Sequence, residues 1–136
     1  MAWSKSGLFL ASASFDGTVI IWAYRTPLLE GVLTLEGHES EVKSVAWSLN
    51  DQYLATCGRD KTVWVWETDV DMEYSTVAVL AKHTQDVKMV AWHSSAFLLA
   101  SASYDNTVIV WEKTEAEDWV SRDVLTGHES TVWGEG

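Results

Sequence analysis

Four kinds of residue recur along the chain at one interval, and that interval limits the fold more than any other property. Trp3, Trp47 and Trp92 are separated by 44 and 45 positions, as are Asp16, Asp60 and Asp105 and also Trp22, Trp66 and Trp111, while His38, His83 and His128 are 45 apart. Four markers keeping one phase mean a row of similar units, each unable to bury its own hydrophobic face and stable only when stacked on its neighbours. The phase divides the chain into an incomplete unit over 1–35, complete units over 36–80 and 81–126, and the start of another over 127–136.

Inside one period, runs rich in β-branched and aromatic residues alternate with polar turns, as at Val42 to Trp47, Tyr53 to Cys57, Thr62 to Trp66 and Thr76 to Leu80. Each period therefore reads as an all-β unit of four strands. Ser48-Leu49-Asn50-Asp51-Gln52 and Gly58-Arg59-Asp60-Lys61 supply residues that tolerate tight turns. The segments Glu67 to Glu73 and Glu112 to Asp118 each carry four acidic residues and fall at loops between third and fourth strands, where they read as solvated tips. Nine tryptophans and a single proline demand a large buried aromatic payload, which excludes a disordered tail.

Nine basic against twenty acidic side chains give a formal charge of -11, which opposes the phosphate neutralisation that supplies most nucleic-acid affinity. Basic or neutral protein partners are favoured instead. Lys5, the apolar Leu8 to Ala11 and an Ala-Ser-Ala step imitate a short secretory signal. However, Leu-Ala-Ser-Ala-Ser at 10–14 returns at 99–103, so the string belongs to the repeat. No apolar run approaches the roughly 20 residues that cross a bilayer, and the lone Cys57 cannot form an intrachain disulfide. The reading is of a soluble protein in a reducing, intracellular compartment, with neither membrane nor nucleic acid as partner.

His38, Thr56 and Asp60, copied as His83, Ser101 and Asp105, contain the ingredients of a nucleophilic triad. Repetition argues against that chemistry, because an enzyme needs one site and this set returns in every complete unit, ending on Trp66 or Trp111. The expectation is a structural hydrogen-bond chain joining the His loop to the Asp turn, with the strand hydroxyl between them and the indole at the end. Histidines one unit apart do not converge, so neither a metal nor a cofactor is expected.

The blocks Gly37-His38-Glu39-Ser40, Leu54-Ala55-Thr56-Cys57, Arg59 through Glu67 (Arg-Asp-Lys-Thr-Val-Trp-Val-Trp-Glu), His83 through Lys88 (His-Thr-Gln-Asp-Val-Lys) and Gly127 through Trp133 carry a resemblance. Gly-His at one point and a tryptophan-ended strand at another, at this period, are marks of WD-repeat β-propellers. The more specific blocks resemble the WD-repeat proteins of the cytosolic iron–sulfur protein assembly machinery. That resemblance implies a fragment of about three blades from a seven-bladed ring that holds no cluster itself. It further implies docking within the complex that delivers clusters to cytosolic and nuclear apoproteins, so that the expected partners are the other subunits and those apoprotein clients. Gly58 stands where serine is expected, and His93-Ser94-Ser95 lacks the usual proline. An arc of three blades exposes apolar flanks and is expected to self-associate; two chains completing a six-bladed ring is the rival to a simple fragment.

Propeller function lies on exposed loops, which the phase of the repeat identifies. The residue before each turn aspartate, namely Phe15, Arg59 and Tyr104, is expected to point outward on the His/Asp face. The third and fifth positions after each histidine place Glu41, Lys43, Asp86, Lys88, Thr131 and Trp133 there too. Of these, Arg59, Lys43, Lys88, Tyr104 and Phe15 are the candidate partner-binding residues, with Arg59 flanked by Lys43 and Lys88 in a positive spot. Trp64 is expected on the sheet face opposite Trp66, packing between blades. The alternatives to an iron–sulfur targeting scaffold are a general WD-repeat adaptor, such as a ubiquitin-ligase substrate receptor or chromatin subunit, and a truncated product without function.

Overall fold

Short β-branched runs broken by polar turns pair in sequence order, which is the arrangement that tight loops enforce. The computed structural model describes residues 1–25, 28–68, 73–94, 97–116 and 118–126. Among them the first sheet holds β1 (Ala2–Trp3), β2 (Phe9–Ala13), β3 (Thr18–Arg25) and β4 (Leu28–Glu36). The second holds β5 (Val42–Trp47), β6 (Tyr53–Gly58), β7 (Val63–Thr68) and β8 (Tyr74–Leu80), and the third β9 (Val87–Trp92), β10 (Leu98–Ser103), β11 (Thr107–Lys113) and β12 (Trp119–Thr126). All three are antiparallel meanders. Strand order and turns follow the sequence reading, with β7 and β8 running two residues further at one end than the composition suggested. The segment 127–136, including Thr131 and Trp133, lies outside the described residues.

The core sits between sheets rather than within any one of them. One cluster joins Ala11, Val19, Ile21 and Leu35 of the first sheet to Val42, Val45, Trp47, Leu54 and Trp66 of the second. The other joins Tyr53, Ala55, Cys57, Val63 and Val65 of the second to Val87, Val90, Leu99, Ile109 and Trp111 of the third. Consecutive side chains of a strand point to opposite faces, and β6 serves both clusters in this way: Leu54 faces the first sheet while Tyr53, Ala55 and Cys57 face the third. Every residue of β6 is accordingly buried.

The same period of two corrects the expectation for Trp64. Residues two apart on a strand share a face, so Trp64 lies on the side of Trp66, its ring stacked on that of Trp66 at 5.5 Å and 21°. Both pack toward the first sheet, and Val63 and Val65 take the other face. Gly37 leaves room for this indole, since a Cβ there would come within 2.6 Å of it.

Main-chain ties lock neighbouring sheets at both ends. The indole Nε1 of Trp47 donates to the Ala2 carbonyl at 3.1 Å and that of Trp92 to the Ala46 carbonyl at 2.9 Å. These are equivalent bonds one blade apart. At one rim the Asp51 carboxylate accepts from the Lys5 and Ser6 amides at 2.6 and 2.8 Å, and near the His/Asp turns the Val42 amide donates to the Ser14 carbonyl at 3.0 Å.

Candidate functional site

Each Asp-bearing turn is built alike. Gly17, Lys61 and Asn106 occupy one phase of the repeat and all adopt the left-handed conformation, at φ 84°, 70° and 69°. This lets the aspartate one residue earlier close on the strand that follows. Asp60 Oδ1 accepts from the Thr62 amide and hydroxyl at 3.1 and 2.6 Å, and Asp105 accepts from the Thr107 amide at 2.9 Å and from its hydroxyl.

From that anchored carboxylate a hydrogen-bond chain runs into the blade. His38 Nδ1 lies 2.8 Å from Asp60 Oδ2, His38 Nε2 lies 2.8 Å from Thr56 Oγ1, and Trp66 Nε1 donates to the same Oγ1 at 3.0 Å. The third sheet repeats it with His83, Asp105, Ser101 and Trp111 at 2.8, 2.8 and 2.9 Å. The order differs from the one read in the sequence. Histidine, not the hydroxyl, touches the aspartate, and the hydroxyl links imidazole to indole. The indole can only donate, so the hydroxyl that accepts from it turns its own proton to Nε2, and Nδ1–H then points at the carboxylate. Every polar atom of the chain is satisfied in that single tautomer.

Electrostatics agree with this proton arrangement. Burial pulls the His38 pKa below its ordinary value, and the neighbouring Asp60 charge only partly offsets it, so the ring is neutral. Burial would raise the Asp60 pKa, but hydrogen bonds from Thr62 and the interaction with His38 outweigh it and hold the carboxyl low. At Asp105 the Thr107 and His83 hydrogen bonds likewise overcome burial. Although hydroxyl, imidazole and carboxylate are connected as in a nucleophilic triad, Thr56 and Ser101 are 0% and 1% exposed and each already accepts an indole proton. A substrate cannot reach either oxygen. Among the described residues no cluster of three His, Cys, Asp or Glu could hold a metal ion.

Above the networks lies the face carrying the remaining candidates. Phe15 is 83% exposed and Arg59 is exposed, whereas Tyr104 is half-buried. Lys88 Nζ sits 3.9 Å from the centre of the Tyr104 ring and Lys43 Nζ 5.5 Å from it. Lys43 also reaches the Glu41 carboxylate at 3.6 Å and Asp86 at 3.5 Å, with only 16% of its side chain exposed. The expected positive spot is therefore altered in character, because the Lys43 cation is set between two carboxylates and bridges the second sheet to the third. Arg59 is fixed through its backbone, its amide donating to the Glu41 carbonyl at 2.9 Å. Phe15, Glu41, Lys43 and Lys88 line a concavity of about 360 Å³ beside these loops.

A second contact set escaped the sequence reading. Lys113 Nζ donates to the Tyr53 hydroxyl at 2.8 Å and lies 5.4 Å from the Phe97 ring centre, joining the second and third sheets. Its signal was available in outline, since Tyr53 opens a strand whose neighbours in phase, Phe9 and Leu98, are also apolar.

Stacked four-stranded sheets, each complete one carrying an Asp–His–hydroxyl–Trp chain from turn to core, define the blades of a WD-repeat β-propeller. The family model for the WD domain, G-beta repeat, matches residues 1–23, 30–67 and 74–112, and the chain belongs to that family. It is 53% identical over 150 residues to a probable cytosolic iron–sulfur protein assembly protein 1 of Vanderwaltozyma polyspora, covering 98% of this chain and 43% of the relative. A probable cytosolic Fe–S cluster assembly factor of Schizosaccharomyces japonicus is 60% identical over 124 residues, covering 91% of this chain and 20% of the relative. The chain thus spans less than half the length of these relatives. Among solved structures, the WD40 repeats of RRP9 superpose with a TM-score of 0.81 at 24% identity, over 96% of this chain and 38% of that one, a likeness of fold.

Proposed function

We propose that this chain is part of a non-catalytic scaffold for cytosolic iron–sulfur protein assembly, docking protein partners through the His/Asp face. The observation that carries the reading is the internal closure of both networks. His38, Thr56, Asp60 and Trp66, like His83, Ser101, Asp105 and Trp111, satisfy one another, so that partner binding falls to the side chains above them, the exposed Phe15 and Arg59 with the half-buried Tyr104, Lys88 and Lys43 beside them. The names of the similar proteins supply the pathway. The partners are the other subunits of a cluster-targeting complex and the apoproteins that receive clusters, in the cytosol and also in the nucleus; neither nucleic acid nor membrane is among them. Exposed arginine and aromatic side chains on a rigid turn are suited to anchoring a partner, since little conformational entropy is lost on binding.

Arg59→Glu tests the reading in a propeller extended to the length of the relatives. The substitution reverses an exposed charge and leaves Asp60 untouched, so the melting temperature stays near the parent's while capture of assembly subunits or apoprotein clients falls about tenfold. Lys61→Glu, beyond Asp60, is the control and keeps its binding. Undiminished capture by Arg59→Glu removes Arg59 from the docking face. Recovery of ubiquitin-ligase or histone partners in place of assembly proteins replaces the pathway assignment with that of a general adaptor.

A further inference from the structure

The turns between β1 and β2 and between β5 and β6 are one structure repeated. In the first blade the Ser4 amide donates to the Phe9 carbonyl at 2.8 Å, the Gly7 amide to the Ser4 carbonyl at 3.0 Å and the Phe9 amide to Ser4 Oγ at 3.1 Å. In the second blade Ser48, Asp51 and Tyr53 make the same three bonds at 2.9, 3.0 and 3.0 Å. Ser6 Oγ accepts from the Leu8 amide as Asn50 Oδ1 does from the Gln52 amide, and Gly7 and Asp51 share the left-handed conformation at φ 76° and 58°. A turn of this kind closes through its first and last residues and leaves its two central amides unused, those of Lys5 and Ser6 in one blade and of Leu49 and Asn50 in the other. Proline suits the first central position and would delete that donor, but the chain's single proline lies elsewhere.

The first pair of amides shows what such a turn holds. Asp51 reaches it from the next blade, Oδ1 accepting from the Lys5 amide at 2.6 Å and Oδ2 from the Ser6 amide at 2.8 Å, so that two adjacent donors meet the two oxygens of one carboxylate. The Leu49 and Asn50 amides form the same fork on the second blade. Both residues are exposed, and neither amide has an acceptor among the described residues. One period after Asp51 the sequence has Ala96, which brings no carboxylate; position 96 itself lies outside the described residues.

We propose that the Leu49 and Asn50 amides are a docking point for a side-chain carboxylate of a partner protein, an aspartate or glutamate that takes the place Asp51 takes one blade earlier. Successive strands of a meander turn at opposite ends, so this point lies on the rim away from the His/Asp face. Only the protein nature of the partner is taken from the scaffold reading. A cavity of about 500 Å³ opens beside the turn, with Trp3, Leu49 and Trp92 on its wall together with Lys5 and His93. It gives the residues next to the bound carboxylate an apolar surface and a nearby cation. The acidic groups at the turn are already engaged, Asp51 by the first blade and Glu67 by Gln52 Nε2 at 3.1 Å. The remaining negative charge of the chain acts over distances that salt screens beyond about 10 Å at 0.1 M.

Backbone-amide NMR on the whole chain tests this, with an aspartate residue blocked at both ends as the probe and its asparagine analogue and inorganic phosphate as comparisons at equal ionic strength. The expected result is a saturable downfield shift of the Leu49 and Asn50 amide protons, with a dissociation constant on the order of millimolar, while the Lys5 and Ser6 amides, already holding Asp51, stay in place. Two variants act in opposite directions. Leu49→Pro removes one donor from an exposed position that proline suits, and affinity for the probe falls about tenfold. Asp51→Gly puts at position 51 the residue that the first blade has as Gly7 and uncovers the other fork, so the Lys5 and Ser6 amides now shift with the probe as well. Matched circular dichroism spectra establish that both variants are folded. No saturable shift at Leu49 and Asn50, or an equal one with the asparagine analogue, overturns the proposal. Tighter binding of phosphate overturns the choice of a carboxylate, and an unchanged titration in Leu49→Pro overturns the assignment to these amides. Each of these failures leaves the capture measured with Arg59→Glu on the opposite face untouched, so the two readings fail separately.

Discussion

At the scale of single residues, the two nitrogens of His38 couple a neutral hydroxyl to an anionic carboxylate, and this makes blade stability depend on pH in a defined direction. The His38 pKa is lowered in the folded chain, so folding favours the unprotonated ring. The stabilisation is complete above the unfolded value near 6.5 and is lost as pH falls through the lower folded value. Asp60 and Asp105 are also lowered, so their contribution is complete above about 4 and is lost only at stronger acidity. The melting temperature is therefore expected to be level from pH 8 to 7 and to decline below about 6.5, well before the carboxylates titrate. His38→Asn should melt lower throughout but lose the decline between pH 7 and 5; a variant with the parent's slope would put the sensitive group elsewhere. Lys61 gives a second test, on backbone strain. It holds φ 70° where the other blades have Gly17 and Asn106, and a lysine gains nothing locally to offset that conformation. Lys61→Asn should raise stability by about 0.5 to 1 kcal/mol in denaturant titration, and an unchanged midpoint would mean that the turn is unstrained.

At the scale of strands and turns, Gly58 separates the second blade from the third. Its counterpart Ser103 is buried and donates to the Gln85 and Asp86 carbonyls at 3.2 and 2.8 Å. In the second blade the equivalent carbonyl, that of Glu41, crowds this position, so a Cβ on Gly58 would stand 2.2 Å from its oxygen. Gly58→Ser restores the residue that the repeat leads one to expect, yet it should destabilise the chain by roughly 1 to 3 kcal/mol, since backbone must shift to admit it. Equal or greater stability in a thermal melt would show that the loop relaxes freely. The strands, their meander order and the partners of each network were legible in the sequence, because alternation, turn residues and a fixed period are local signals. What could not be read depends on approach between blades. The sequence gives Lys43 no sign that Asp86 of the next blade will meet it at 3.5 Å. Register slips recur just before Trp22, Trp66 and Trp111 as each third strand pairs with the fourth; such bulges follow from twist and packing rather than composition. Trp64 is a different case, since a strict period of two was enough to assign its face.

At the scale of the whole arc, each hydrophobic core belongs to a seam, and stability should therefore be divisible seam by seam, as in a one-dimensional array. Cys57 reports on one of these seams. It is wholly buried on the face of the second blade that meets the third, and burial pushes its thiol pKa up, so neither access nor thiolate is available until that seam opens. A thiol reagent should leave the native chain unmodified on the timescale in which the unfolded chain reacts. The rate of the slow labelling that remains then measures opening between the second and third blades. Trp92 donates across that seam to the Ala46 carbonyl, and Trp47 donates across the other to the Ala2 carbonyl. Trp92→Phe removes one hydrogen bond worth about 1 kcal/mol and should speed Cys57 labelling about fivefold. Trp47→Phe loosens the seam on the far side and should change the rate much less. Equal acceleration by the two substitutions would mean that the three sheets open together as one cooperative unit, so that the seam between the first and second blades supports the second core as strongly as its own contacts do.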